Sequence, residues 1–159
     1  MQLKLDGLDA HLRQAKAKGL APLYVVHGDE HLLVLEAVDR LRAAAREAGF
    51  SERDVLVAER GFHWGQLVEA QQSMSLFGDR KIVELRIPSG KPGKDGSEAL
   101  QRYCETLSDD VVTIVQLPKL DRQQQSSAWF VALDAAGVSL RVDPVERRAL
   151  PQWIAQRLA

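Results

Sequence analysis

The residues around Gly28 are the first place in this sequence where a ligand could be held. They read His27-Gly28-Asp29-Glu30-His31 and follow a short apolar run, so a buried strand would turn there into a helix. A P-loop needs several glycines followed by Lys and Ser or Thr, and none of these follows Gly28. Asp29 and Glu30 instead place negative charge at the start of the helix, where they complement the helix dipole and repel phosphate. The turn therefore predicts no phosphate cradle.

The second part of an ATP site would be an acidic residue that follows a buried strand and holds Mg²⁺. After the apolar run 111–115 the chain has Gln116, Leu117 and Pro118 instead. Both halves of such a site are thus missing from the sequence. We predict no catalytic residue and no cofactor.

The remaining candidate groups for chemistry are four scattered histidines and one cysteine, Cys104. No two histidines are backed by carboxylates at metal-ligand spacing, so we predict no metal site. His27 and His31 flank the turn and could form a weak ligand site. The alternative is that they are packed in the core or face solvent. Cys104 falls in an amphipathic helix, where a half-buried small residue is the ordinary role.

The segment Met74-Ser75-Leu76-Phe77 carries the strongest sign of a binding site. Three large apolar residues cluster between a predicted helix and the polar start of a strand, and a Gly-Asp turn follows them. If they pack inward, the segment is an ordinary helix-to-strand corner. If Leu76 and Phe77 are exposed, they form a small apolar patch of the kind that marks a partner site.

Strands that alternate with helices must position these residues. Two strands are apolar throughout, which favours a parallel sheet covered on both faces. The run 81–87 alternates, with Val83, Leu85 and Ile87 on one side and Glu84 and Arg86 on the other, and predicts a half-buried strand. Residues 88–96 are predicted to form a flexible loop by composition. A first helix is predicted from the helical spacing of Leu5, Leu8, Leu12 and Ala15, with Asp6 to cap it and Gly19 to end it. The other predicted helices are 30–48, 64–73, 97–106 and 123–135, and the other strands are 23–27, 54–58, 111–115 and 138–142.

Composition places the chain among soluble globular domains. Of its 159 residues, 45% are apolar, and 21 basic residues nearly balance 22 acidic ones. A net charge of −1 argues against a duplex-binding surface, although a local basic patch is compatible with a neutral total. No apolar run approaches a membrane span and no signal peptide is recognisable, so the expected location is the cytoplasm.

Five short motifs, in this order along nearly the whole chain, give it a family resemblance. They are Pro22-Leu-Tyr-Val-Val-His-Gly-Asp-Glu-His-Leu-Leu33, Phe62-His-Trp64, Met74-Ser-Leu-Phe77, Ser127-Ala-Trp-Phe130 and Trp153-Ile-Ala-Gln-Arg-Leu158. Together they resemble the N-terminal part of the delta subunit of the bacterial DNA polymerase III clamp loader. The resemblance implies an α/β domain of P-loop ATPase (AAA+) type, with a parallel sheet sandwiched by helices and a degenerate nucleotide site.

The resemblance also implies a role for the apolar segment. Leu76 and Phe77 would plug a pocket on the ring-shaped sliding clamp (the beta subunit), with Met74 and Ser75 supporting them, and binding would favour the open ring. ATP would be hydrolysed by other subunits. The chain would have no intrinsic activity but would belong to the DNA polymerase III holoenzyme, a DNA-directed DNA polymerase and thus a nucleotidyltransferase that serves DNA replication.

Two domains are expected, a clamp-binding domain at 1–142 and the start of a helical lid at 143–159. Asp143, Pro144 and Glu146 form a strong helix start. In the resembling family the loader subunits join through C-terminal regions beyond this length. We therefore expect a monomer that binds the clamp, does not assemble into the loader, contacts DNA only indirectly and has no membrane partner.

Two other functions remain open from the sequence. The chain could be a nucleotide-binding enzyme of the P-loop class, which would require a phosphate cradle after Gly28. It could also bind nucleic acid directly through the loop that carries Lys91 and Lys94. Each has its own signature, a rise in melting temperature with ATP for the first and strongly salt-dependent DNA binding for the second.

Overall fold

A computed structural model gives the architecture and describes residues 2–72 and 80–142. A single 3₁₀ turn, Leu5–Gly7, precedes the first helix. The strands and helices are β1 (Gln2–Lys4), α1 (Leu8–Lys18), β2 (Leu23–Gly28), α2 (His31–Glu47), β3 (Phe50–Val57), α3 (Gly65–Gln72), β4 (Arg80–Arg86), α4 (Gly93–Glu105), β5 (Val111–Leu117), α5 (Arg122–Gln125), α6 (Ala128–Ala136) and β6 (Val138–Val142).

The six strands of this described part form one sheet in the order β1-β6-β2-β5-β4-β3, and every neighbouring pair is parallel. After β2 the chain runs to the far edge of the sheet at β3, returns through β4 and β5, and crosses to the other side of β2 at β6. Such a sheet has one edge at the carboxyl ends of its strands, where ligands usually bind, and another at their amino ends. The predicted α/β class with a parallel sheet is confirmed.

Helices cover both faces of the sheet, and each face has its own apolar cluster. On one face Val25, Val83 and Leu85 pack beneath α3, α4 and α6, with Trp129 and Phe130 among the buried side chains. On the opposite face Val26 and Ile82 pack beneath α1 and α2. Strands buried on both sides become apolar throughout, which is why β2 and β5 were readable from the sequence.

The amino-terminal stretch differs from the prediction. No strand was predicted before the first helix, but residues Gln2–Lys4 form an edge strand, with Leu3 in register with Leu140 of β6. The helix predicted between the cap Asp6 and the stop Gly19 is present as α1, from Leu8 to Lys18. This pairing depends on a strand far away in the sequence, so local periodicity could not reveal it. Similarly, β3 begins at Phe50 rather than at Asp54.

Two predicted boundaries later in the chain are also wrong. The loop predicted at 88–96 is shorter, because α4 already starts at Gly93. Gly96 lies inside that helix, and a Cβ there would come within 2.5 Å of Cζ2 of Trp64, so this glycine permits close packing against the indole. The helix predicted at 123–135 is two helices, α5 and α6, since Ser127 starts the second as its N-cap.

Strand β4 is buried on both faces, so the predicted half-buried strand is wrong. Glu84 has only 2% of its surface exposed. Its carboxylate accepts hydrogen bonds from Arg42 of α2, at 2.9 and 2.6 Å, and from Arg53 of β3. The two arginines supply the partners that a buried carboxylate needs. Because a charged residue normally faces solvent, the sequence pattern indicated an exposed position for Glu84.

Candidate functional site

The predicted binding segment connects α3 to β4. Its four residues, Met74, Ser75, Leu76 and Phe77, lie outside the described residues, and so does the predicted lid at 143–159. What the structure describes is the base of the segment, where α3 ends at Gln72 and β4 begins at Arg80. This base lies at the amino-end edge of the sheet, beside the starts of β3 and β5.

Lys81 links the two sides of this base. Its side chain is 8% exposed, and its ammonium nitrogen lies 3.0 Å from Oδ2 of Asp54 in β3. The same Nζ donates a hydrogen bond, also 3.0 Å long, to the carbonyl oxygen of Ala70 in the last turn of α3. One side chain at the start of β4 therefore holds the end of the helix that precedes the segment. The last carbonyls of a helix lack partners within the helix, so Ala70 gains a donor from Lys81.

Gln71 makes a second link from the same turn of α3. Its Nε2 donates to the carbonyl oxygen of Thr106 at 2.7 Å, and the Thr106 hydroxyl donates back to its Oε1 at 3.3 Å. Thr106 is the C-cap of α4, so this pair joins the ends of two neighbouring helices. The Gln71 side chain is largely buried, with 9% exposed.

Arg80, the first residue of β4, lies at the surface of the same edge. Its guanidinium carbon is 5.4 Å from the centroid of the Phe50 ring, and Nε is 3.9 Å from a carboxylate oxygen of Asp110. Both ion-pair partners are more than half exposed, so this pair contributes little to stability. The edge next to the segment thus carries an exposed cation above a more buried layer formed by Lys81 and Gln71.

At the opposite, carboxyl-end edge the structure shows a groove of about 520 Å³ beside Gly28. A Cβ on Gly28 would lie 2.3 Å from the carbonyl oxygen of Val142, so this glycine allows β2 and β6 to approach closely and is not part of a glycine-rich cradle. Asp29 stands at the start of α2, and Arg86 lines the groove from the end of β4. Gln116, Leu117 and Pro118, at the end of β5 where an acid would hold Mg²⁺, also line this groove. A carboxylate at the turn and a guanidinium in the groove, with no acid after β5, do not fit a nucleotide site.

Three of the candidate groups for chemistry, His11, His27 and Cys104, are wholly or partly buried. His27 is buried and packs edge-to-face on Phe130, with ring centroids 5.3 Å apart. His11 bonds the Tyr24 hydroxyl at 2.9 Å, and burial lowers its pKa. Burial, together with the nearby charge of Glu105, raises the pKa of Cys104 to about 11, far from that of a nucleophilic thiolate. Within residues 2–72 and 80–142 no three His, Cys, Asp or Glu side chains gather as a metal site.

Comparisons with known proteins agree with this geometry. The family model for the delta subunit of DNA polymerase III matches residues 24–142. The chain belongs to this delta-subunit family. It is 32% identical over 146 residues to DNA polymerase III subunit delta of Escherichia coli K12, covering 92% of this chain and 43% of that protein. The corresponding protein of Haemophilus influenzae Rd is 30% identical over 157 residues, covering 96% and 44%.

A solved structure shares the fold of this delta-family chain. The DNA clamp loader delta protein of Bacillus subtilis superposes with a TM-score of 0.71 at 17% identity, over 92% of this chain and 45% of that one. An AAA+-like architecture is consistent with this likeness. The chain spans less than half the length of each of these three proteins.

Lys91, in the loop before α4, and Lys94, in the first turn of α4, line a second groove of about 700 Å³. The structure brings these lysines beside Phe62 and Trp64, two residues of the family motif that contact each other edge-to-face at 5.1 Å. Acidic Glu59 and Asp95 line the same groove, so its charge is mixed.

Sequence reasoning missed Lys81 and Gln71. A signal for Lys81 was present, because it is in phase with Val83 and Leu85 and therefore falls on the strand face that was predicted to be buried. A lysine in such a position must find a partner in the fold. Gln71 gave no such signal, since its partner is a carbonyl group 35 residues away.

Proposed function

We propose that this chain binds the sliding clamp through Leu76 and Phe77, with Met74 and Ser75 supporting them, and favours the open ring during clamp loading in DNA replication. Membership of the delta-subunit family carries the proposal. In the sequence the four residues fall between α3 and β4, and the described ends of these two elements, Gln72 and Arg80, lie at the edge of the sheet away from the groove beside Gly28.

The energetics fit a small apolar plug. Full burial of a leucine or phenylalanine side chain contributes about 1.5–3 kcal/mol, enough for a two-residue hot spot. Such binding opens a ring only if the plug fits the open or relaxed state better than the closed one, since only differential affinity shifts an equilibrium. The ring-opening step therefore needs no chemistry from this chain.

ATP hydrolysis is assigned to other subunits of the loader. Gly28 packed against Val142, Asp29 at the helix start and Arg86 at the end of β4 all support this assignment. The chain would then be a non-catalytic part of the DNA polymerase III holoenzyme, with contacts to other loader subunits made through C-terminal regions of the family. We place it in the cytoplasm and expect a monomer. In residues 2–72 and 80–142 no helix has both the length and the apolarity needed to span a bilayer.

The test is a titration of the purified chain against the sliding clamp of the same organism. The Leu76→Ala, Phe77→Ala double variant should lose binding at an unchanged melting temperature. A matched control is Leu32→Ala, Val131→Ala, because these two side chains are 56% and 53% exposed and remove similar apolar surface elsewhere. Binding by the double variant equal to that of the parent would disprove the plug assignment.

The alternative of a nucleotide-binding enzyme is tested on the same samples. ATP with Mg²⁺ should leave the melting temperature unchanged, whereas a ligand at 100 times its Kd would stabilise the fold by about 2.7 kcal/mol. A saturable rise with ATP would favour the alternative. A steep fall of DNA affinity with salt would instead favour direct nucleic-acid binding through the groove beside Lys91 and Lys94.

A further inference from the structure

We propose that Lys81 and Gln71 are positioning residues for clamp binding, which hold the base of the 73–79 segment from two neighbouring elements. This inference rests on the proposed function, because it concerns the same segment. It adds two buried residues that do not belong to the Met74–Phe77 motif, and it gives them a measurable role in the affinity of the plug.

Stability alone does not require a lysine at position 81. The neighbouring residues on this face of β4, Val83 and Leu85, are fully buried apolar side chains, and an apolar residue at 81 would continue the same packing. A buried ammonium group must be taken out of water, and exchanging a buried ion pair for apolar residues is often neutral or stabilising. The best-attested use of such a pair is to fix one arrangement of two elements against others.

The arrangement fixed here is that of the helix end and the strand start. Lys81 Nζ is 3.0 Å from both the Ala70 carbonyl oxygen and the Asp54 carboxylate, so it joins α3 to β3 and β4 at once. The Ala70–Lys81 hydrogen bond closes a loop that contains the whole 73–79 segment. It therefore fixes how far apart the end of α3 and the start of β4 lie.

Gln71 fixes the remaining freedom of the helix end. The hydrogen bond at Ala70 alone would allow α3 to pivot about it. The adjacent residue is held from another direction by the 2.7 Å bond to the Thr106 carbonyl oxygen, at the end of α4. Two bonds on consecutive residues, to elements on two sides, define the position and direction of the helix end. Both residues lie in the last turn of α3, directly before the 73–79 segment.

A fixed base lowers the ordering cost of binding. The segment that carries Leu76 and Phe77 loses less conformational entropy on binding if both of its ends are already held. The isosteric variants Lys81→Met and Gln71→Met remove the donors and keep the volume. We expect each to weaken clamp affinity about tenfold, mostly through faster dissociation.

Loss of stability must be separated from loss of positioning. Arg42→Met is the control, because it removes an ion pair of α2 over the opposite face of the sheet, Arg42 to Glu84 at 2.6 Å. This pair is more buried than Lys81 to Asp54, whose carboxylate side chain is 46% exposed, so Arg42→Met is the stricter test of a mere loss of stability. All titrations are run well below the melting temperature of every variant. We expect Arg42→Met to lower the melting temperature and leave the clamp affinity unchanged. In a Phe77→Ala background, Lys81→Met should weaken binding less than tenfold, because part of the contact it positions is gone.

The outcomes distinguish the two proposals. If the parent chain does not bind the clamp, both fail. If the parent binds and the Leu76→Ala, Phe77→Ala variant does not, while both methionine variants bind as tightly as the parent, the plug stands and the positioning role is wrong. The positioning role is equally wrong if Arg42→Met weakens binding as much as Lys81→Met at a similar loss of melting temperature.

Discussion

Replacing Glu84 with glutamine tests how the middle of the sheet tolerates charge. The carboxylate is 2% exposed and accepts hydrogen bonds from Arg42, whose side chain is 16% exposed, and Arg53, which is 32% exposed. Glutamine keeps the size of the side chain but removes the negative charge. The two guanidinium groups then face each other across a neutral amide, and part of their hydrogen bonding is lost.

The expected loss of stability follows from this geometry. Breaking a fully buried ion pair by removing one partner costs about 3–5 kcal/mol. Since Arg53 can turn toward water, we take a lower value, about 2–3 kcal/mol. For a domain of this size that corresponds to a fall of about 5–10 °C in melting temperature at neutral pH.

The pH dependence of stability gives a second test of the same prediction. Burial alone would raise the pKa of Glu84, but the hydrogen bonds and charges of Arg42 and Arg53 outweigh it and hold the pKa below its ordinary value. A carboxyl group with a depressed pKa stabilises the fold above its unfolded-state pKa and loses that contribution as the pH falls through the folded-state pKa. The gap between parent and Glu84→Gln should therefore be full at pH 7 and shrink in acid.

The assay is urea unfolding of both proteins from pH 7 downward. Glu98→Gln serves as the control, because Glu98 is an exposed residue of α4. A Glu84→Gln protein as stable as the parent at pH 7 would refute the reasoning. So would a difference that stays constant while the parent itself loses stability in acid.

Two further predictions concern the reactivity of Cys104 and the packing of Gly28. Because the pKa of Cys104 is raised to about 11, its thiol should react with a disulfide reagent at pH 8 much more slowly than free cysteine, and at the rate of free cysteine once the chain is unfolded. Equal rates in the folded state would contradict this. Gly28→Ala should destabilise the fold by about 1–3 kcal/mol in thermal unfolding, because its Cβ would meet the Val142 carbonyl oxygen at 2.3 Å; a neutral effect would show that β2 and β6 can separate at no cost.

The parts of the fold that local pattern determines were predictable. β2 is apolar along its whole length because it is covered on both faces, and α2 shows a clear apolar stripe ended by Gly49, which has a φ of +101°. Both ends of α2, His31 and Glu47, therefore fall within one residue of the predicted range 30–48. The pairing of β1 with β6 depends on contacts across nearly the full chain, and no local pattern reports it.

Charged residues were the main source of error inside the sheet. Glu84 and Arg86 alternate with apolar residues, which normally indicates a solvent-facing side. The rule failed because Arg42 of α2 pairs with Glu84. The sequence of β4 alone does not show that another element provides this partner. For the proposed binding segment, the motif Met74–Phe77 was recognisable in the sequence. The contacts of Lys81 and Gln71 beside it became visible only in the structure.

The two edges of the sheet bear on how the proposed function could work without ATP. In a parallel sheet of this kind ligands bind at the carboxyl edge, but here that edge carries Asp29 at the turn after β2 and Gln116 and Leu117 at the end of β5. The proposed function uses the other edge and draws on binding energy alone. Burial of Leu76 and Phe77 supplies at most about 3–6 kcal/mol together. If all of it were available only to the open ring, the plug could shift the opening equilibrium by about 10²- to 10⁴-fold and no more. Any larger shift must come from other surfaces of the loader, so the effect of the plug on ring opening has an upper limit that the clamp titration can measure.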